Sequence, residues 1–287
     1  MQGHKAQNNN RLPHWMKMQR ASGPNYARVK GLVERNKLHT ICTSGNCPNI
    51  GECWNAGTAT FMILGNICTR ACKFCAVATG KPLAPDHEEP ARLAESVKLM
   101  NIRHCVITSV DRDDLPDSGA RFWAETITKV KELNPGITIE TLIPDFNGVK
   151  KDIMKVIEAG PEVISHNLET VERLTPVIRT KAKYRKSLDV IRFLSENGAR
   201  SKSGIMAGLG ETDQEIYQTM DDLLQAGCKI FTIGQYLRPG HDHMNVAEYI
   251  KPEKFEEYHL VGLNKGFEFV ESHPLVRSSF HAEKHAG

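Results

Sequence analysis

With 287 residues, 40% of them hydrophobic and 25% charged, the chain is long enough to bury a core without staples and too mixed in composition to be disordered or collagen-like. Its 37 Lys plus Arg against 34 Asp plus Glu leave +3, too weak a bias to argue for a nucleic-acid partner. The longest apolar runs, such as Phe61 to Leu64, fall far short of the ~20 residues that span a bilayer, and the polar start lacks the apolar stretch of a signal peptide. The expectation is a cytoplasmic protein with neither nucleic acid nor membrane as partner.

Residues 1 to about 25, punctuated by Pro13, Gly23 and Pro24, read as a loosely ordered arm anchored by Trp15, Met16 and Met18. From Tyr26 to Leu38 the spacing of Val29, Leu32 and Val33 predicts a short amphipathic helix. The Gly-, Asn- and Pro-rich stretch from Cys42 to Thr60 predicts a loop. Beyond it the sequence alternates. Apolar, β-branched runs at Phe61–Gly65, His104–Val110, Ile137–Ile143, Glu162–Leu168, Ser203–Ala207 and Ile230–Tyr236 predict strands. Helical periods cover Pro90–Asn101, Gly119–Asn134, Val149–Gly160, Tyr184–Gly198, Thr212–Gly227 and Pro252–Lys265. Strand then helix, repeated, specifies parallel β/α units with right-handed crossovers. Pattern alone leaves a doubly wound open sheet and a partial (βα)6 barrel both open, and either one puts its reactive face at the C-terminal ends of the strands.

Eight cysteines in a reducing compartment do not make a disulfide framework. Six form two triplets, Cys42, Cys47, Cys53 (C-x4-C-x5-C) and Cys68, Cys72, Cys75 (C-x3-C-x2-C), while Cys105 and Cys228 sit in strand patterns as core residues. Thiolates select zinc, copper(I) or iron–sulfur clusters. Closed structural zinc favours paired C-x2-C units, which neither triplet supplies; a four-iron cluster on three thiolates keeps one iron open for a further ligand. A zinc knuckle using Cys68, Cys72, Cys75 and a distant ligand is the competing reading. Cys68 directly follows the first predicted strand, at the mouth of the sheet.

The string Cys68-Thr-Arg-Ala-Cys72-Lys-Phe-Cys75, followed by β/α alternation, resembles the radical S-adenosylmethionine (SAM) superfamily. Within it, Cys42-Thr-Ser-Gly-Asn-Cys47-Pro-Asn-Ile-Gly-Glu-Cys53-Trp is similar to the auxiliary-cluster motif of the lipoyl synthase family. Matching strings continue through His166-Asn-Leu-Glu-Thr170, Gly204-Ile-Met-Ala-Gly-Leu-Gly-Glu211 and Arg277-Ser-Ser-Phe-His-Ala282. Where the family usually carries Tyr, this chain has Phe280, so that hydroxyl is absent.

The resemblance implies an α/β fold: a partial (βα)6 TIM-like barrel over residues 61–265, an N-terminal cysteine-rich extension over 1–60 and a C-terminal tail over 266–287. It implies two 4Fe-4S clusters and SAM as cofactors. Cys68, Cys72 and Cys75 would hold the cluster that binds SAM, with Phe74, Asn167, Glu169 and Arg179 contacting SAM. Cys42, Cys47, Cys53 and Ser279 would hold the auxiliary cluster. The implied reaction inserts two sulfur atoms, at C6 and C8, into a protein-bound octanoyl-lysine. Implied partners are octanoylated lipoyl-carrier proteins (the E2 of 2-oxoacid dehydrogenases, the glycine cleavage H protein), a low-potential electron donor such as ferredoxin or flavodoxin, and an iron–sulfur carrier protein. The competing functions are another sulfur-inserting radical SAM enzyme and an iron–sulfur redox sensor or electron carrier.

Overall fold

The computed structural model describes residues 12–16, 21–55, 59–280 and 282–286. Met18 and His281, singled out above, lie outside the described residues. Helix α1 (Pro24–Arg35) is followed by β1 (His39–Thr40), α2 (Ile41–Ser44) and α3 (Ile50–Asn55), so the stretch expected to be a loop carries two short helices. Both are brief enough to escape a periodicity reading, and α2 is started by Thr40, whose side chain accepts a hydrogen bond from the Thr43 N–H. The alternating part runs β2 (Thr60–Ile63), the short ribbon β3 (Ile67–Cys68) with β4 (Ala78–Thr79), α4 (Glu89–Met100), β5 (His104–Ser109), α5 (Ala120–Leu133), β6 (Thr138–Leu142) and α6 (Lys150–Glu158). It continues with β7 (Val163–Ser165), α7 (Thr175–Ile178), α8 (Tyr184–Glu196), β8 (Ser201–Ala207), α9 (Asp213–Gln225), β9 (Ile230–Gln235), α10 (Pro252–Lys265) and β10 (Phe269–Ser272).

Eight strands form one sheet in the order β1-β2-β5-β6-β7-β8-β9-β10. All neighbours are parallel except β1, which runs antiparallel to β2. The two ends of that order do not pair, so the six predicted strand–helix repeats make an open, partial barrel. It is extended at one edge by β1 and at the other by β10, neither of which the pattern predicted. The sheet thus draws one strand from each flanking section.

Burial explains why these segments hold. Phe61, Ile107, Ile139, Ile164, Phe231 and Ile233 on the strands and Val97, Trp123, Ile127, Leu194 and Leu223 on the helices are all within 1% of fully buried. Each such apolar side chain contributes roughly 1.5–3 kcal/mol of burial. On β8, Gly204 and Met206 face the main cavity, and by strand alternation Lys202 shares their face, nearer the N-terminal end. There Lys202 is 0% exposed and its Nζ donates to Glu140 Oε1 (2.8 Å) and Oε2 (3.0 Å). His285, in the last turn of helix (Ala282–His285), approaches the same Nζ to 3.3 Å. The end of the chain therefore closes the side of the barrel opposite the mouth.

Candidate functional site

A cavity of about 1220 Å³ opens at the C-terminal ends of the strands. Segments directly after β5, β6, β7 and β9 line it (Val110 and Asp111, Ile143 to Asp145, His166, Asn167 and Glu169, Tyr236 to Leu237), the usual place for chemistry in a parallel α/β fold. Cys68, Cys72, Phe74, Cys75, Asn167, Glu169 and Arg179 all face it, so the structure brings together every predicted residue of the SAM site.

The Cys68–Cys75 loop is held from several sides. Backbone N–H groups of Arg70 (3.4 Å) and Asp111 (3.3 Å) donate to Cys68 Sγ. Thr69 N–H donates to Asp111 O (3.1 Å), Lys73 N–H to Ile178 O (2.9 Å) and Met244 N–H to Lys73 O (3.0 Å). His243 pins the loop through Nε2 to Cys75 O at 3.0 Å. Arg70 is the main fastener, and the sequence reading missed it. Its Nε and Nη2 grip both Asp113 oxygens (2.8 Å each), Nη2 also reaches Asp145 Oδ1 (2.7 Å), and Nη1 lies 3.3 Å from Asp111 Oδ1. Burial alone would raise the Asp113 carboxyl, but the Arg70 guanidinium bonded to it outweighs this and holds it well below the usual carboxylate range. Burial pushes the neighbouring Asp111 carboxyl up, against the pull of Arg70.

Asn167 follows β7, and its Nδ2 donates to Ser278 Oγ at 2.9 Å while its Oδ1 is buried without a partner. Glu169 sits in left-handed backbone (φ 67°) and bridges to Ile205 of β8, a conformation that turns its side chain out of the strand row. Burial pushes its carboxyl up, with Arg179 pulling it back. Arg179 Nη1 is committed to Asn167 O (3.2 Å), Leu168 O (3.1 Å) and Ser187 Oγ (3.1 Å), whereas its buried Nε has no partner. Two unsatisfied polar atoms at the wall of one cavity are what a polar ligand would satisfy. Phe74 packs beside Ile178, Leu209 and Tyr236, an apolar wall for a flat ring. In the glycine run, a Cβ on Gly204 would meet Thr232 Oγ1 at 2.2 Å, so the chain's own packing already requires that glycine.

The first triplet meets the C-terminal segment. Asn49 Nδ2 donates to Leu275 O (2.8 Å), and the Arg277 guanidinium lies beside Cys47, favouring its thiolate. Thr60 Oγ1 donates to Ser279 Oγ (2.9 Å), and the Thr60 backbone also hydrogen-bonds the Cys42 thiol. A Cβ on Gly234 would meet Val276 O at 2.1 Å, so only glycine lets this segment lie against β9. Ser278 faces the cavity and is engaged by Asn167; Ser279 points to Thr60, on the Cys42 side. Cys105 and Cys228 are buried in the core, as expected.

No disulfide joins any of the eight cysteines. Burial pushes the Cys42 and Cys75 thiols up to about 11 and Cys72 to about 12, and raises Cys47 and Cys68 as well. Thiols in such surroundings give up their protons when metal binds. Among the described residues no three His, Cys, Asp or Glu side chains converge tightly enough for a single ion. Backbone donors at the sulfurs of Cys42, Cys47, Cys68 and Cys75 match the hydrogen bonding that tunes iron–sulfur centres. The donor sets fit two clusters.

The Radical SAM superfamily matches residues 62–223. The chain is 60% identical over 275 residues to the lipoyl synthase of Bacteroides fragilis (strain YCH46), covering 96% of each protein. It is 56% identical over 274 residues to the mitochondrial lipoyl synthase of Nematostella vectensis, covering 95% of this chain and 94% of that one. Among solved structures, the FeFe-hydrogenase maturase HydG from Carboxydothermus hydrogenoformans overlays at a TM-score of 0.60 with 12% identity, over 91% of this chain and 68% of that one, a likeness of fold. With a superfamily match over more than half its length and such identity to relatives over nearly all of it, the chain belongs to the lipoyl synthase family of radical SAM enzymes.

Proposed function

We propose that Cys68, Cys72 and Cys75 hold the SAM-binding cluster and that Cys42, Cys47, Cys53 and Ser279 hold the auxiliary one, in an enzyme that converts protein-bound octanoyl-lysine to lipoyl-lysine. When bound, SAM and its cluster supply a 5′-deoxyadenosyl radical and the auxiliary cluster supplies sulfur, chemistry that unactivated C–H bonds demand because they offer a base no acidic proton. The observation that carries the reading is the meeting of residues 275–279 with the first triplet at the side of a cavity lined by the second.

The chain's own residues then do the following. Arg70 fixes the loop of the second triplet through Asp111, Asp113 and Asp145. Asn167 and Arg179 offer the unsatisfied Oδ1 and Nε to the polar end of SAM, while Phe74 borders the adenine. Glu169 adds a carboxyl at the same wall. Ser279 closes the first triplet with a hard oxygen on a soft site, a weak bond suited to a centre that gives up its sulfur. Lying over the cavity beside Asn167, Ser278 and its neighbours help exclude water. Sections 1–60, 61–265 and 266–287 serve as auxiliary-cluster extension, barrel and closing tail. The carriers would be octanoylated E2 domains and H protein, served in the cytoplasm by ferredoxin or flavodoxin as electron donor and by an iron–sulfur carrier protein. Among the described residues no helix is long and apolar enough to cross a membrane.

The test is anaerobic reconstitution followed by one turnover on an octanoyl-lysine peptide, read by mass spectrometry. About eight irons per chain are expected for two four-iron clusters. Ser279→Ala should release 5′-deoxyadenosine within about twofold of the parent yet lose at least roughly tenfold in lipoyl product, the loss typical of a disturbed metal centre. Stoichiometric zinc without sulfide, or equal product from parent and variant, would overturn the assignment.

A further inference from the structure

Residues 277–280 make a turn closed by the Phe280 N–H on Arg277 O (2.9 Å), and the two serines occupy its two central positions. Their hydroxyls part there. Ser279 Oγ accepts from Thr60 Oγ1 on the side of the first triplet (2.9 Å), while Ser278 Oγ accepts from Asn167 Nδ2 at the cavity wall (2.9 Å). Asn167, 6% exposed, is held by Arg179, whose Nη1 donates to its main-chain O (3.2 Å). Its side-chain Oδ1 lies over cavity-lining Gly204, where an added Cβ would come within 3.4 Å of it. That oxygen is buried without a partner, and buried polar atoms are nearly always satisfied. One amide group thus has its donor end on the tail and its acceptor end unmet beside the cavity.

We propose that Ser278 is a positioning residue that couples SAM binding to the seating of Ser279. The inference rests on the SAM-site and auxiliary-site assignments made above. A terminal amide turns in a broad torsional well, and an amide whose oxygen accepts a bond is a stronger donor at its nitrogen. An ammonium or hydroxyl donor of SAM on Asn167 Oδ1 therefore fixes the amide plane and strengthens the bond from Nδ2 to Ser278. Because both serines belong to one closed turn, holding Ser278 holds Ser279 beside Thr60. The coupling is reciprocal, so a seated tail also presents Asn167 ready for SAM. The serine on the sulfur side is then firmly placed only while the radical source is present, and the same closure keeps water out.

The experiment is hydrogen–deuterium exchange of the full, anaerobically reconstituted chain, with and without SAM and with no reductant, so that SAM stays whole. The peptide covering residues 275–280 is read by mass spectrometry. In the parent, SAM should slow its exchange about fivefold, the low end of coupling between sites. Ser278→Ala should still bind SAM, about fivefold more weakly, and show no slowing at saturating SAM. A bond that merely held the tail in place would change exchange by the same factor in both states. A reconstituted parent that takes up no SAM overturns the site assignments and this inference with them. SAM binding without slowing in the parent overturns the role of Ser278 alone, a result that stands even if Ser278→Ala fails to fold. Equal slowing in parent and variant overturns it too.

Discussion

The two cysteine triplets are built on opposite plans. The Cys68–Cys75 loop closes within eight residues and is bolted to loops after β5 and β6 by Arg70, whose side chain is 3% exposed and whose partners are three carboxylates. The Cys42–Cys53 segment sits on two short helices. Its remaining wall arrives from residues 275–279 through single hydrogen bonds, Asn49 to Leu275 and Thr60 to Ser279. One site is bolted by a buried cation among carboxylates; the other is closed by a C-terminal segment that lies down on it. In the reading proposed here this separates a cluster that must survive every turnover from one that must yield its sulfur.

The largest effect expected from breaking that contrast comes from removing a ligand on each side. Cys72→Ala should abolish 5′-deoxyadenosine release while keeping about four irons, and Cys47→Ala should keep the release and lose lipoyl product, since each variant strips one of two independent four-iron centres. Iron analysis with chromatography of the nucleoside reads both. If Cys47→Ala also stopped SAM cleavage, the two triplets would not be separate sites.

Next comes the fastener. Arg70→Met leaves Asp113 and Asp145 as buried carboxylates without their cation, a loss of about 3–5 kcal/mol when one partner of a buried pair is removed. Lys181, 3.1 Å from Asp113, offsets part of it. The expected result under anaerobic thermal denaturation is a markedly lower midpoint, together with loss of iron from the second triplet and retention at the first. Unchanged iron at both would show that the loop is held by its backbone bonds alone.

The smallest effect concerns the turn that precedes the same loop. Leu64 is held in left-handed backbone (φ 67°), and Glu89 Oε2 accepts its N–H at 2.8 Å. Burial pushes the Glu89 carboxyl up to about 7. The folded protein thus keeps a proton on Glu89 that the unfolded chain releases near pH 4.5, and stability is lost as pH rises from there through about 7, by ~3–4 kcal/mol. Glu89→Gln, which retains an acceptor for Leu64, should flatten that slope and be the more stable protein at pH 8. A parallel pH profile of parent and variant would refute the role of Glu89.

Much of this was legible in advance because the information is local. The six inner strands and the helices between them show in the alternation of apolar runs with helical periods, and the triplets announce themselves by spacing. What stayed hidden depends on distance along the chain. Arg70 looks like any residue between two cysteines until Asp113 and Asp145, 43 and 75 residues on, fold over it. The strand Phe269–Ser272 is too short to stand apart from the tail, and β1, at two residues, becomes a strand only by pairing with β2. Ser279 was singled out through resemblance alone, because nothing near it in sequence suggests a ligand.

The Thr60–Ser279 bond spans 219 residues, and this sets an order of assembly. At roughly 5–20 residues per second of synthesis, Cys75 leaves the ribosome some tens of seconds before Ser279 does. A nascent chain can therefore bring Arg70 to Asp113 and Asp145 beside the second triplet while the first still lacks its closing wall. In the assignment proposed here, the sulfur-donating centre can close only after residues 275–279 have been made.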